Sequence, residues 1–235
     1  MQPDAFLPVA EIQGWPWKDA SGSAVFSWRQ VGYHDKSLRL PDRLGRAAAK
    51  RRNEYLAGRC AARQSIRALT GKSLIPDTDH DRAPIWPSGL VGSISHGGGH
   101  AVALVGKQID YLGLGVDIEP PLDTRRAMKL APQILTDSEL RSDVSPEHVS
   151  RAFSAKESLF KALYPLTRVW FGFQDAVLVA CDEDGQGTLR LCRDLGSDWP
   201  RGRCLPFRHV RFRGAILTRV DIPGPQALSV APPST

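Results

Sequence analysis

The stretch Gly115-Val116-Asp117-Ile118-Glu119 constrains this chain more than any other. It is a β-branched run that reads as a buried strand, and strand side chains alternate faces with a period of two. Val116 and Ile118 therefore point into a core, while Asp117 and Glu119 share the opposite face. A second stretch, Phe153-Ser154-Ala155-Lys156-Glu157-Ser158-Leu159-Phe160-Lys161, has a helical pattern in which Glu157 and Lys161 share one flank. Three carboxylates that converge from a strand and a helix make an oxygen site of the Mg²⁺ kind, and lysines beside it suit a phosphorylated substrate.

The 235 residues and 42% hydrophobic content describe an ordinary globular chain with a sizeable core. No window approaches the roughly 18 apolar residues that a membrane span needs. The N-terminal stretch carries Asp4 and Glu11 and no basic-then-apolar run, so no signal peptide is read. Cys60, Cys181, Cys192 and Cys204 show neither a C-x-x-C pair nor zinc spacing, which predicts free thiols and a cytoplasmic protein.

The net charge of +6 is concentrated. Residues 39–72 hold ten basic side chains against Asp42 and Glu54. Such a surplus attracts a polyanion (nucleic acid, a nucleotide or an acidic protein), or else it is a solvated helix face.

The pattern predicts an α+β chain. A strand over 24–31 precedes a long helix over about 42–69, stopped by Gly71. A loop over 76–90 follows. The apolar runs 91–94 and 100–105 flank Gly97-Gly98-Gly99 and read as two strands, or as a strand and a helix start. The strand 113–118 stops at Pro120-Pro121, and a helix follows near 124–134. A further helix starts with Ser145 as N-cap and Pro146 at its first position, and is expected to end before Pro165. From 175 on the pattern is β, over 175–181, 188–193, 208–213 and 215–222. Residues 1–22 read as irregular and 223–235 as a mobile tail. The element order is compatible with two similar halves meeting near 107–114.

At 100° per residue, Val149, Phe153, Phe160 and Leu163 form one apolar stripe on the helix from 146. Glu157 lies beside that stripe, which suits a metal ligand or a base. Lys156 falls within the stripe, so it must snorkel or meet an anion. Taken alone, Glu157 and Lys161 would be a surface i,i+4 pair; the Asp-x-Glu strand upstream favours a site.

Gly92-Ser93-Ile94-Ser95-His96-Gly97-Gly98-Gly99 is a second candidate, because Ser95 and His96 could donate to a phosphate and glycines let backbone approach a ligand. It has neither nucleophile-elbow nor P-loop spacing. Arg51 and Arg59 could clamp phosphates at two heights of the long helix, or be solvated charge. Arg82-Ala83-Pro84-Ile85-Trp86-Pro87 could meet an adenine or a phosphate. His34, His80, His100, His148 and His209 show no ligand spacing and read as structural or surface residues.

Five motifs in order resemble those of Sfp/EntD-type 4'-phosphopantetheinyl transferases, closest to the enterobactin-synthase-associated branch. They are Arg51-x7-Arg59, Arg82-x-Pro84-x-Trp86-Pro87, Gly92 to His96, Gly115 to Glu119, and Phe153 to Ala162. The resemblance spans about residues 50–175. It implies two pseudo-symmetric α/β halves, each a small sheet packed on a long helix: residues 1–112, with nucleotide-phosphate contacts, and residues 113–222, with the metal and catalytic groups. It implies Mg²⁺-dependent transfer of 4'-phosphopantetheine from coenzyme A to a serine of an apo acyl or peptidyl carrier protein, releasing adenosine 3',5'-bisphosphate. The enzyme would be a monomer serving siderophore or other secondary-metabolite biosynthesis. Asp117, Glu119 and Glu157 would hold the metal, with Asp117 also against coenzyme A. Glu157 would help deprotonate the serine. Lys161 would neutralise charge on the α-phosphate, and Lys156 would assist. Ser95 and His96 would hold the 3'-phosphate side, and Arg51, Arg59 and Arg82 would bind phosphate or adenine. Phe153 stands where family members often carry Trp, and Asp81 where many carry Lys or Gly.

Two rival readings are a metal-dependent nuclease and a non-enzymatic nucleotide- or RNA-binding module. The nuclease class places its lysine two residues after a strand carboxylate, whereas the lysines here lie on a separate helix. An RNA binder needs exposed aromatics among its basic residues, and between 39 and 72 only Tyr55 qualifies. No nucleic-acid partner is therefore expected.

Overall fold

The computed structural model of the chain describes residues 15–18, 23–32 and 37–225. Most of the stretch read as irregular (1–14 and 19–22), His34, and residues 226–235 of the tail lie outside the described residues.

Strand β1 (Val25–Gln30) leads to a 3-10 turn at Asp42–Leu44 and then to α1 (Ala49–Thr70). The single helix expected from residue 42 is thus divided. Gly45 follows the turn and Ala48 is extended, with φ −56° and ψ 147°; glycine is costly inside a helix, which favours the interruption. Gly71 ends α1 in the left-handed conformation, φ 75°, as the stop signal required.

The expected loop holds a two-residue ladder of β2 (Asp77–Thr78) and β3 (Pro84–Ile85). Strands β4 (Leu90–Gly97) and β5 (His100–Lys107) form a hairpin through Gly98 and Gly99, at φ 57° and 80°. Two positive-φ residues give the hairpin turn whose twist matches its strands, so the two-strand alternative holds.

β6 (Tyr111–Glu119) is followed by α2 (Thr124–Ile134), α3 (Asp137–Leu140) and α4 (Pro146–Thr167). Ser145 caps α4 by accepting from His148 N at 3.3 Å. The helix does not end before Pro165, which sits in its last turn. A proline there forfeits one hydrogen bond, and Arg168 closes the helix at φ 55° with its N–H on Tyr164 O. β7 (Ala176–Cys181), β8 (Gln186–Leu191), β9 (Cys204–Phe212) and β10 (Ala215–Pro223) complete the chain.

The order β1-β5-β4 makes a three-stranded sheet and β6-β10-β9-β8-β7 a five-stranded one, antiparallel throughout. The class is α+β, as the sequence predicts. Alternation along β5 couples the layers. Val102 and Leu104 enter a core between the sheets with Phe26, Val116, Ile118 and Leu217, while Ala103 and Val105 pack beneath α1 against Ala61, Ala62 and Ile66. On the far side, α4 covers the larger sheet through Leu159 and Leu163 against Leu189 and Phe207. All four cysteines are free thiols. Among the described residues no helix is long and apolar enough to cross a membrane.

The contact that positions the site is α4 on β6. Leu114, Val116 and Ile118 face the inter-sheet core, leaving Gly113, Gly115 and Asp117 on the α4 side. A β-carbon on Gly115 would lie 1.8 Å from Ser158 O, and one on Gly113 would lie 2.4 Å from Ala162 O. Only glycines admit a helix backbone this close, and its polar side chains then reach Asp117.

Candidate active site

Asp117 is buried, 1% exposed, at the meeting point of β4, β6 and α4. Its Oδ1 accepts from Ser95 Oγ at 2.8 Å and from Lys161 Nζ at 2.6 Å, and its Oδ2 accepts from Ser154 Oγ at 2.8 Å. Thr218, its register partner on β10, lies 2.9 Å from Ser154 Oγ and 2.7 Å from Ser158 Oγ. Donors on β4 and α4 thus fix this carboxylate in orientation, with Thr218 of β10 supporting the α4 serines.

Lys161 Nζ also lies 3.0 Å from Ser95 Oγ and 3.9 Å from Glu157 Oε2. Its ammonium stands between a buried and a half-buried carboxylate. Burial raises the Glu157 carboxyl above its ordinary value; Lys161 opposes the shift and Asp117 adds to it. The Glu119 carboxyl is pushed up to about 7, by burial first and then by the charge of Asp117, against the pull of Lys161. Lys161 thus faces the carboxylates of Asp117 and Glu157, and its charge reaches Glu119, whose raised pKa is owed to burial first and to Asp117 second.

Hard oxygen donors carrying excess charge fit a Mg²⁺-like cation. Their oxygens do not gather tightly, however. Among the described residues, the group of three possible ligand atoms within 4.8 Å of one another is Asp79, His80 and Asp81. Those carboxylates are already engaged: Asp79 accepts from Ala83 N, and Asp81 from the Tyr164 hydroxyl.

His96 leaves β4 on the face opposite Ser95 and meets α1. Arg51 Nη1 lies 2.9 Å from His96 Nε2, and arginine can only donate. Nε2 is therefore the acceptor and the ring proton sits on Nδ1, 3.6 Å from Glu54 Oε2. Burial holds the His96 imidazole below its ordinary pKa; Glu54 opposes this, and the charges of Arg51, Lys161 and Asp117 are also felt. His96 thus adjoins the carboxylate site from the α1 side.

Three expected ligand residues are turned inward. Ser95 is 6% exposed and donates its hydroxyl to Asp117. Lys156 is 3% exposed, and its Nζ donates to Glu139 Oε2 and Ile134 O, both at 2.8 Å. One residue before Glu157, it is rotated by 100° around α4 and faces α2 and α3. Of the two outcomes read for a lysine in the apolar stripe, snorkelling or meeting an anion, the second holds, with Glu139 as the anion and the ammonium engaged there. Arg59 is 6% exposed and donates to Asp77 O at 3.1 Å and Thr78 Oγ1 at 2.6 Å, with its guanidinium 4.9 Å from the Tyr55 ring. It pins β2 to α1 rather than facing a ligand. Arg51 and Arg82 remain exposed, the latter in a turn at φ 68°.

The sequence reading passed over Ser154, Thr218, Glu54 and Glu139. Ser154 was accessible, since it precedes Glu157 by three and Lys161 by seven on one helix face. Glu139 also had a signal: Thr136-x-x-Glu139 is a capping box, and both of its hydrogen bonds form. Thr218 had none, because β10 pairs with β6 only after the chain has passed through α2, α3, α4 and β7 to β9.

Two family descriptions match the chain: the 4'-phosphopantetheinyl transferase N-terminal domain over residues 40–106, and the 4'-phosphopantetheinyl transferase superfamily over residues 113–209. The chain is 42% identical to enterobactin synthase component D of Salmonella typhi over 139 residues, covering 55% of this chain and 57% of that protein. It is 37% identical to the 4'-phosphopantetheinyl transferase PptT of Mycobacterium tuberculosis, covering 57% and 60%. It is 31% identical to the 4'-phosphopantetheinyl transferase Npt of Nocardia iowensis, covering 60% and 65%. The chain spans a little over half the length of the curated relatives it matches.

Proposed function

The chain belongs to the 4'-phosphopantetheinyl transferase superfamily, and from that membership we propose that it moves 4'-phosphopantetheine from coenzyme A to a serine of an apo acyl or peptidyl carrier protein. The observation that carries the reading is Lys161, whose ammonium lies 2.6 Å from Asp117 and 3.9 Å from Glu157 where α4 meets β6. A crowd of carboxylates holding one lysine suits a diphosphate brought in with a divalent cation.

In the proposed reaction the carrier serine oxygen attacks the phosphorus that bears pantetheine. The bond from that phosphorus to the bridging oxygen breaks, and adenosine 3',5'-bisphosphate leaves. The serine proton passes to Glu157, a half-buried carboxylate whose hold on a proton burial strengthens. Lys161 meets the charge that develops on the departing phosphate, and positioning with charge neutralisation supplies most of the barrier reduction. Mg²⁺ held by Asp117, Glu119 and Glu157 would supply neutralisation of the diphosphate when bound. Arg51 and His96 would receive the 3'-phosphate side of the nucleotide, Ser95 would join them only by giving up its bond to Asp117, and Arg82 would add a phosphate or adenine contact. Residues 1–112 and 113–222 are read as the two halves that flank coenzyme A. The protein is read as a cytoplasmic monomer, and the likeness to enterobactin synthase component D extends the proposal to siderophore-type synthetases as its carriers.

Incubation with coenzyme A, Mg²⁺ and an apo carrier domain tests the reading. A carrier mass increased by one phosphopantetheine supports it. Cleavage of DNA or RNA without that gain would favour the nuclease instead.

A further inference from the structure

Residues 157, 161, 164 and 168 recur at spacings of four, three and four, which traces one continuous face of α4. Glu157 and Lys161 occupy its site end. Tyr164 and the capping residue Arg168 continue it to the end of the helix, and there both meet a turn from far earlier in the chain. Tyr164 Oη donates to Asp81 Oδ2 at 2.8 Å, and Arg168 Nη1 lies 3.5 Å from Asp79 Oδ2.

Asp79 also shapes that turn from within. Its Oδ1 accepts from Ala83 N at 2.8 Å, its carbonyl accepts from Arg82 N at 3.1 Å, and its own N–H donates to Ala83 O at 2.9 Å. Between these bonds Arg82 is held at φ 68°, a region that non-glycine residues occupy only when their surroundings impose it. Arg59 ties the neighbouring β2 to α1 through Asp77 and Thr78. The turn is therefore gripped from both sides, by α1 and by α4.

We propose that Tyr164–Asp81 and Arg168–Asp79 form a clasp that sets where Arg82 stands relative to Glu157 and Lys161. Tyr164 and Arg168 are then positioning residues for the nucleotide half of coenzyme A. The inference rests on the transferase reading. Exposed contacts of this kind add little to global stability, so each can be broken without unfolding the protein.

Tyr164→Phe removes the hydroxyl alone and keeps the ring, which stacks on Phe160 at 5.1 Å. With the full chain, Mg²⁺, coenzyme A and an apo carrier domain, we expect KM for coenzyme A to rise about fivefold, the worth of one hydrogen bond. We expect kcat within about twofold of the parent and an unchanged Tm. Asp81→Ala should behave alike, whereas Asp81→Asn keeps an acceptor and should restore the parent KM. In an Arg82→Ala background, Tyr164→Phe should add no further rise, because the clasp acts through Arg82. An equal rise in both backgrounds, or a fall in kcat at constant KM, overturns the proposal. Amide hydrogen exchange at Arg82 and Ala83, expected to quicken in Tyr164→Phe, reads the clasp without catalysis. If the parent protein loads no carrier, the transferase reading fails. If exchange is unchanged, the clasp itself fails.

Discussion

Two lysines five residues apart on α4 make short ion pairs, and the two pairs do different work. Lys156 meets Glu139 at 2.8 Å, and Lys161 meets Asp117 at 2.6 Å. Around Glu139 the account is closed. One cation faces one anion, and the carboxylate also accepts from Thr136 N, Thr136 Oγ1 and Leu178 N. Around Asp117 it is open. One ammonium pairs with Asp117 and Glu157, burial and the charge of Asp117 push nearby Glu119 up to about 7, and Lys161 and Glu157 keep side-chain exposures of 24% and 31%. Charge balance and access, rather than ion pairing, separate a strut from a site. Removing half of a closed pair should cost stability, and altering the open cluster should cost activity.

Glu157→Ala should break the contrast most visibly. Loss of the proton acceptor should lower kcat by roughly 10²–10⁴-fold while the denaturant midpoint stays near the parent's; near-parent turnover would remove Glu157 from the mechanism. Lys156→Met should do the reverse. It strands a buried Glu139, so chemical denaturation should show a loss of about 3–5 kcal/mol while kcat of the folded fraction is kept. Adding Glu139→Gln should recover part of that loss, which sharpens the assignment of Lys156 as a strut.

Gly115→Ala probes the contact common to both sides of α4. The added methyl meets Ser158 O and should cost about 1–3 kcal/mol of stability, together with activity, as the helix lifts from β6. Arg51→Ala should have the smallest effect. KM for coenzyme A should rise about tenfold, as for a lost charge-assisted contact, with KM for 3'-dephospho-coenzyme A unmoved. Equal rises for both substrates would place Arg51 away from the 3'-phosphate.

The open region was more legible in the sequence than the closed one, because its spacings are local. Period two put Asp117 and Glu119 on one side of a strand, and period 3.6 put Glu157 beside Lys161. The lysine in the apolar stripe was legible as needing either a route to solvent or an anion, but not which, since Glu139 comes from a separate short helix. The closeness of α4 to β6 was hidden too. Gly113 and Gly115 read as ordinary strand residues until a helix backbone is found above them. Pro165 misled because a proline in the last turn removes only one bond, and Arg59 misled because a helical arginine carries no mark of the loop that will cover it.

The charge-imbalanced cluster at Asp117 is the centre of this account, and the mass of an apo carrier domain after incubation with the protein and coenzyme A tests it most directly. The account predicts a gain of one phosphopantetheine with Mg²⁺ and none when a chelator removes divalent ions. No gain by the parent protein, or an equal gain without divalent ions, would contradict it.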